Sequence, residues 1–409
     1  MIATFKEQFD NSYQTVLTKD LVAMKIASTR FEGELSYGKT LRRAYTDVIN
    51  VPVQNLVSNT NYTINTVNDS SELITINQNK AIVFAIDSVE KIQAGPLKPG
   101  EFLGALAARK LMRYVDGDVL NEIRNAAQTF DTGDLTSTQS NGTPISLSTA
   151  NVAAMVSQAE AKLGYINVTN GALAMVVDSY SQSQFAQFLL GKQNNLSVST
   201  FENGYIGSPT YGTDMYVSNN LPVDLFVNLT TNPANGDTMT IRASGGKAFT
   251  YTFVTVLAAV PGSILIGAAA TNTRDNLVTL MTAPGVTTAT GVAFTDVAGV
   301  TPTTDYVASS WIDLRTTTTN ISNQLQIVGV GTGRLGISFT GTIAATTFVN
   351  KLHAFFGKKG STEVVIQDKI TAEIVDHPFQ FAQIFRSRAL YGIKSFKIGI
   401  IQMLDVQLA

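Results

Sequence analysis

The chain contains no cysteine in 409 residues. That excludes disulfides, thiolate catalysis, and cysteine-ligated zinc and iron–sulfur sites. It has two histidines, His353 and His377. Their separation leaves little for a histidine-based triad or a multi-histidine metal site. Charge is scarce too, at 15% of residues against a usual fraction of about a quarter. The formal net charge is −2, so the chain as a whole is not built to hold nucleic acid electrostatically. An apolar leader is also missing. In MIATFKEQFD, Lys6, Glu7 and Asp10 stand where a signal peptide needs an apolar run, so export by that route is not expected.

The length allows two or three domains with a core that needs no covalent staples. Hydrophobic residues make up 44%, an ordinary share. Scarce charge with abundant Gly, Thr and Asn suggests much β surface, and surface hidden against neighbours. The charges are unevenly spread. Residues 131–224 carry two basic and seven acidic side chains, 225–350 five of each, and 351–409 eight basic and five acidic. One uncharged run, Ala248 to Thr273, imitates a membrane span. Pro261-Gly262 inside it is a turn pair, and Phe249, Tyr251 and Phe253 alternate with threonines, so two short buried strands around a turn are expected instead.

Along the chain, residues 1–30 read as an arm or short helix. From Phe31 to Ala94 the segments DVINVPVQ, NYTINTV, ELITIN and AIVFAID read as strands of an extended hairpin region, separated by Asn/Ser turns. Such a hairpin has few apolar residues of its own and needs something to lie against. Gly95-Pro96 and Pro99-Gly100 stop the strands. A long amphipathic helix over 101–127 follows, with Ala108, Met112, Val115, Val119, Ile123 and Ala126 on one stripe and Asp116, Asp118 and Glu122 on other faces. Ser148 is the expected N-cap of a second helix carrying Val152, Met155, Ala159 and Leu163, with Gly164 at its end. ALAMVVD reads as a buried strand, and Ser179 as the cap of a short helix. Residues 225–350, rich in Thr, Gly, Ala and Val, read as one inserted β module. TMTIRA and FTYTFVTV form its hairpin, and NTRDNLVTLM its single helix. Long strands close the chain.

Two motifs invite enzymatic readings. Gly33-Glu34-Leu35-Ser36-Tyr37-Gly38-Lys39-Thr40 matches the phosphate-binding GxxxxGK[ST] pattern, and LAMVVD ending at Asp178 looks like a magnesium-holding strand end. The context is wrong: a polar segment precedes the loop, and strands rather than a helix are expected after it. Gly331-Thr332-Gly333-Arg334-Leu335-Gly336 matches GxGxxG, but strand pattern follows, which removes the helix N-terminus that binds the anion. Sequons such as Asn61-Tyr62-Thr63 are chance products of an Asn/Thr-rich chain. No catalytic cluster is read from the sequence.

The segment ELITINQNKAIVFAIDSVEKIQ, the Gly/Pro break and the helix through ALAARKLMRYVDGDVLNEI together resemble the extended loop and spine helix of tailed-bacteriophage major capsid proteins with the Hong-Kong-97-like fold. Ser148–Asp178 resembles the start of that family's axial domain. GSPTYGTDMYVSNNLP and HAFFGKKGSTEVVIQ resemble its fold-back strand and its late core strand. The placement of 225–350 is similar to that of the insertion domain of podovirus-type coat proteins.

The resemblance implies an α+β subunit. Its parts would be an N-terminal arm (1–30), an extended loop (31–94), a peripheral domain with the spine helix (95–147), an axial domain (148–224), an inserted β-rich domain (225–350) and return strands (351–409). It implies a non-catalytic protein without cofactor or metal. Copies would assemble as hexamers and pentamers in an icosahedral shell around double-stranded DNA, inside the host bacterial cytoplasm and then in the virion. Partners would be the chain itself, scaffolding protein, portal and a decoration protein, with no membrane. Glu32, Glu34, Arg42, Arg43, Lys80, Asp87, Glu90 and Lys91 are the expected inter-subunit contacts. Met112, Val115, Val119 and Ile123 are the expected core of the spine helix. An encapsulin-like nanocompartment shell is the alternative, and a P-loop enzyme a remoter one.

Overall fold

The computed structural model describes residues 22–30, 38–46, 54–55, 58–59, 61, 69–87, 111, 114–137, 139–166, 168, 172–191, 205–210, 213–243, 248–257, 260–282, 291, 315–317, 324–329, 334–376 and 380–409. It is a mixed α+β structure with four sheets. In chain order the strands are β1 (Thr40–Thr46), β2 (Asp69–Thr75), β3 (Gln78–Asp87), β4 (Gln128–Phe130), β5 (Leu173–Val177) and β6 (Tyr205–Thr210). Then come β7 (Thr213–Val217), β8 (Val223–Asn228), β9 (Thr238–Ala243), β10 (Ala248–Val254), β11 (Ser263–Leu265) and β12 (Arg315–Thr317). The last six are β13 (Gln324–Gly329), β14 (Leu335–Thr340), β15 (Thr347–Lys358), β16 (Glu363–Asp376), β17 (Ala382–Lys394) and β18 (Met403–Leu408).

The largest sheet has nine strands. Seven run in the order β12-β13-β8-β15-β5-β7-β6, and β18 joins β15 while β4 joins β18. β15 is its organising strand, pairing with β8 over residues 347–352, with β18 over 352–357 and with β5 over 355–358. Period-two alternation gives the sheet two different faces. One face is apolar, with Val223, Leu225, Leu352, Ala354, Phe356, Leu404 and Val406 all buried. The other carries Asp224, His353, Asp405 and Gln407, also buried.

The helix Val152–Tyr165 buries Val152, Met155, Val156, Ala159 and Leu163, an i, i+3, i+4 stripe facing the common core. Its start differs from the expectation. The helix begins after Asn151, and Ser148 instead supplies a backbone acceptor to the Asn151 and Val152 N–H groups. Gly164 lies inside the helix rather than past its end. The helix Ser179–Gly191 is capped not by Ser179 but by the preceding Asp178, whose carboxylate accepts from the Ser181 N–H at 3.1 Å.

The helix expected over 101–127 is shorter at its end. Among its described residues, 111 and 114–121 are helical, and Glu122–Asn125 tightens into a 3₁₀ turn. The chain then extends so that β4 can pair in parallel with β18, which places Ala126 off the helix. Val115, Val119 and Ile123 are buried in the main core; Met112 lies outside the described residues.

The charges of this helix do not form a solvated face. Asp116 is 2% exposed. Its carboxylate accepts from the Ala23 N–H at 2.8 Å, Asn220 Nδ2 at 2.8 Å and Ser218 Oγ at 3.2 Å. Asp118 accepts from the Tyr391 hydroxyl at 2.6 Å, and Glu122 from the Ser395 N–H at 3.2 Å. The helix is packed on opposite sides, by the segment Ala23–Ile26 with the 218–220 turn and by β17, so both flanks need polar groups that receive donors.

The block 225–350 divides between two sheets. β8, β12 and β13 belong to the nine-stranded sheet, where β8 lies between β13 and β15. Only β9, β10, β11 and β14 form a separate four-stranded sheet, in the order β11-β10-β9-β14, beside the helix Ala270–Thr282. The uncharged run forms β10 and β11 around the Pro261-Gly262 turn, with Gly262 at φ 81°. These two strands pair in parallel rather than as a hairpin. Among the described residues no helix is long and apolar enough to cross a membrane.

Val119→Asp places an unpaired carboxylate in the core, at a cost of about 3–5 kcal/mol against a total stability of about 5–15 kcal/mol. Urea unfolding should show that loss, or no soluble protein at all. A variant as stable as the parent would mean that Val119 does not face the core.

Candidate assembly surface and the buried charges behind it

Two smaller sheets carry the candidate surface. The hairpin β1–β2 is paired from Thr40↔Thr75 to Thr46↔Asp69. The three-stranded sheet β16-β17-β3 is longer: β16 has 14 residues, or roughly 45 Å at the usual strand rise. Among its described side chains the hairpin forms no buried cluster of its own. Ile74 and Ile76 bury against Val365 and Phe396 of the long sheet and its following turn, with Leu41 and Leu390 at the edge. The junction is close: a Cβ on Gly392 would lie 2.7 Å from the Thr75 carbonyl oxygen, so glycine is needed there.

Apolar side chains are exposed on or beside both sheets. Leu73 is 45% exposed, Val83 63% and Phe381 91%. The opposite face of the long sheet is covered: Phe84 and Phe385 stack at 4.6 Å, and Tyr391 is buried. Burial and the Asp118 carboxylate hold the Tyr391 phenol well above its ordinary pKa, so it keeps its proton and donates to Asp118.

Of the residues expected at inter-subunit contacts, Glu32, Glu34, Glu90 and Lys91 lie outside the described residues. Asp87 is described only in its backbone, opposite Ala382. Arg42 is exposed. Arg43 and Lys80 have partners inside the chain. Arg43 lies 3.5 Å from Glu363 and over the Phe396 ring at 5.2 Å. Lys80 lies 4.0 Å from Asp118 and over the Tyr114 ring at 5.9 Å. These contacts tie the hairpin to β16 and β3 to the helix at 114–121.

The phosphate-loop motif is not completed. Gly38 and Lys39 are exposed, and Thr40 opens the strand β1, so no helix N-terminus faces an anion there. Arg334 of the second glycine motif leads into the strand β14. Its guanidinium has another use. Arg334 Nε donates to Asp178 Oδ2 at 2.6 Å, Nη2 to Asp178 Oδ1 at 3.4 Å and to Ser181 Oγ at 3.3 Å, and Nη1 to the Ala409 carbonyl. The guanidinium also lies 4.7 Å over the Tyr180 ring. Burial pushes the Asp178 carboxyl up, but Arg334 and the Ser181 donors outweigh it and hold the group below its ordinary value.

The sequence reading missed a second charged group. On the polar face of the nine-stranded sheet, His353 Nδ1 lies 2.8 Å and 2.9 Å from the two Asp405 oxygens, and Nε2 lies 3.3 Å from Asp224 Oδ2. Arg124, from the 3₁₀ turn, pairs with Asp224 Oδ1 at 2.6 Å and donates to the Val223 carbonyl at 3.3 Å. Gln326 and Gln407 donate to Asp224 and Asp405, each at 3.2 Å. Alternation in VDLFVN, KLHAF and MLDVQL puts these polar residues together on one face, but it does not tell that this second face is buried as well. Among the described residues no group of three or more His, Asp or Glu is placed to hold a metal ion.

Arg334→Gln removes the charge-assisted bonds to Asp178 and should cost about 1.5–3 kcal/mol by urea unfolding near neutral pH. Because Asp178 is depressed in the folded protein, its stabilisation is present above the ordinary carboxylate range and lost as pH falls through the lowered value. The difference between parent and variant should therefore shrink in acid. A difference that is constant with pH would mean that Arg334 acts by packing alone.

No protein-family model matches the chain, and no curated protein matches it. Solved structures are similar to it. One is the capsid structure of the cyanophage P-SCSP1u, at 10% identity and a TM-score of 0.47, covering 96% of this chain and 89% of that one. The mature capsid of bacteriophage PhiM1 is similar at 12% identity and a TM-score of 0.44, covering 94% and 87%. The virus-like particle from Pyrococcus furiosus is similar at 9% identity and a TM-score of 0.41, covering 99% of both chains. The structures similar to this chain are predominantly from phages, several of them described as capsids.

Proposed function

We propose that this chain is a major capsid protein of the Hong-Kong-97-like fold, whose copies assemble into the icosahedral shell around a tailed phage's double-stranded DNA. The role is structural and non-catalytic. The observation that carries the reading is that the hairpin β1–β2 buries Ile74 and the adjoining Ile76 against the long sheet and the turn after it, while Leu73, Val83 and Phe381 stay exposed on or beside these two sheets. Apolar side chains left exposed there are what a neighbouring protein would cover. The partner proposed is a second copy of the chain, because repetition over a lattice makes many weak contacts hold. The chain order found in the sequence is the second support.

In this reading β1–β2 is the base of the extended loop. The long sheet and the helix at 114–121 form the peripheral part, and the nine-stranded sheet is the axial part. The four-stranded sheet with its helix is the inserted module. Scaffolding protein, portal, a decoration protein and packaged DNA are the further partners proposed, with assembly in the host bacterial cytoplasm.

Purified protein, with scaffold if needed, should form closed shells or capsomers by light scattering and electron microscopy. Val83→Asp and Phe381→Ser change exposed positions, so subunit stability should stay within about 0.5 kcal/mol of the parent while assembly is lost. A parent chain that stays monomeric under every condition, or variants that assemble as well as the parent, would contradict the proposal. Particles that carry protein cargo and no nucleic acid would favour a compartment shell over a capsid.

A further inference from the structure

The buried group around His353 carries an inference independent of the assembly reading. His353 is 5% exposed. Each of its ring nitrogens faces a different carboxylate, Nδ1 toward Asp405 and Nε2 toward Asp224. A neutral imidazole has one N–H. Only the imidazolium carries an N–H on both nitrogens and a positive charge between the two carboxylates: Nδ1 hydrogen-bonds Asp405, while Nε2 lies 3.3 Å from Asp224 Oδ2 as an ion pair without completing a hydrogen bond.

The surrounding charges agree. Asp224 faces the ring from β8 and Asp405 from β18. Arg124 faces Asp224 from the turn Glu122–Asn125. β13 and β18 contribute the neutral amides of Gln326 and Gln407. On β15 itself the nearest charge is Lys351, which lies opposite Asp224 in register and over the Phe226 ring at 5.7 Å. Arg124 and an imidazolium balance the two carboxylates. Without the proton, the pair of carboxylates keeps the half-buried Arg124 as its close cation.

These contacts join segments far apart in the chain. Arg124 follows the helix packed on the long sheet, while Asp224, His353 and Asp405 sit in three adjacent strands of the nine-stranded sheet. We propose that the proton on His353 is a clip that fastens the turn Glu122–Asn125, and the helix before it, to the middle of that sheet, so that the joint loosens when the proton leaves.

The direction of the pH response follows. Burial of the ring lowers its proton affinity, but the contacts and charges of Asp224 and Asp405 outweigh it and raise the group above 6.5. A folded-state value above the unfolded one gives a stabilisation that is fully present below the ordinary histidine range. It is lost as pH rises through the raised value.

The test is amide hydrogen exchange by mass spectrometry on the full chain, corrected for the intrinsic pH dependence of exchange. Protection of the segments 122–130 and 403–408 should be level in mild acid. From the ordinary histidine range up to the raised folded value it should fall by up to about tenfold per pH unit, the limit for one linked proton, and level off above that value. Asp405→Asn removes a contact that raises His353, so the midpoint of the fall should move to lower pH. His377→Gln, which changes the other histidine, should leave the midpoint where it is. Protection that is level from mild acid to well above the histidine range would overturn the proposal. So would a midpoint that follows His377 rather than Asp405. If Asp405→Asn does not fold, the parent and His377→Gln profiles decide on their own.

Discussion

The structure depends on one strand meeting three partners. β15 lies against β8 along its first half, then against β18 and β5. These partners come from chain positions near 175, 225 and 405, so the sheet joins the middle and the end of the chain. Pairings this distant must close long loops before they are rewarded. They hold because β15 buries residues on both faces: Leu352, Ala354 and Phe356 on one, His353 and Phe355 on the other. The rest is arranged around that sheet. The helix Val152–Tyr165 joins its core, the turn Glu122–Asn125 is fastened by Arg124, and Arg334 draws the start of β14 to the end of β18.

Much of this was legible in the sequence because it rests on local periodicity. The alternation in FTYTF gave β10, the stripe Val152-Met155-Ala159-Leu163 gave a buried helix face, and LAMVV gave a buried strand. What was not legible depends on distant partners. Asp116 and Asp118 read only as charges on the other faces of the helix, because their spacing carries no information about what packs there. Asp116 receives an N–H from Ala23, 93 residues earlier, and Asp118 a hydroxyl from Tyr391, 273 residues later. The block 225–350 looked like one module because its composition is uniform, yet composition does not say which sheet a strand joins. Ser148 and Gly164 had the right chemistry for helix ends, but the helix boundaries are set elsewhere by Asn151 and Ile166.

The division of labour within the subunit is physical. Buried charges with close partners lie where elements must keep a fixed relation: Asp178 with Arg334, Asp224 with Arg124 and His353, Asp134 with Lys162. Breaking such pairs is costly because the remaining charge stays buried. Leu73, Val83 and Phe381 are exposed on or beside the hairpin and the long sheet, while Tyr165, Tyr180, Val256, Val260, Phe348 and Val349 are exposed on other elements.

The most direct test of self-assembly compares amide hydrogen exchange in the assembled particle and the dispersed subunit. If copies of the chain cover the candidate surface, the amides of β3 and of residues 380–384 should exchange in the subunit and become protected in the particle. The apolar strands β5 and β15 should be protected in both. Equal exchange along β3 and 380–384 in the two states would contradict the account, because the surfaces assigned to assembly would then be open to water in the assembled form.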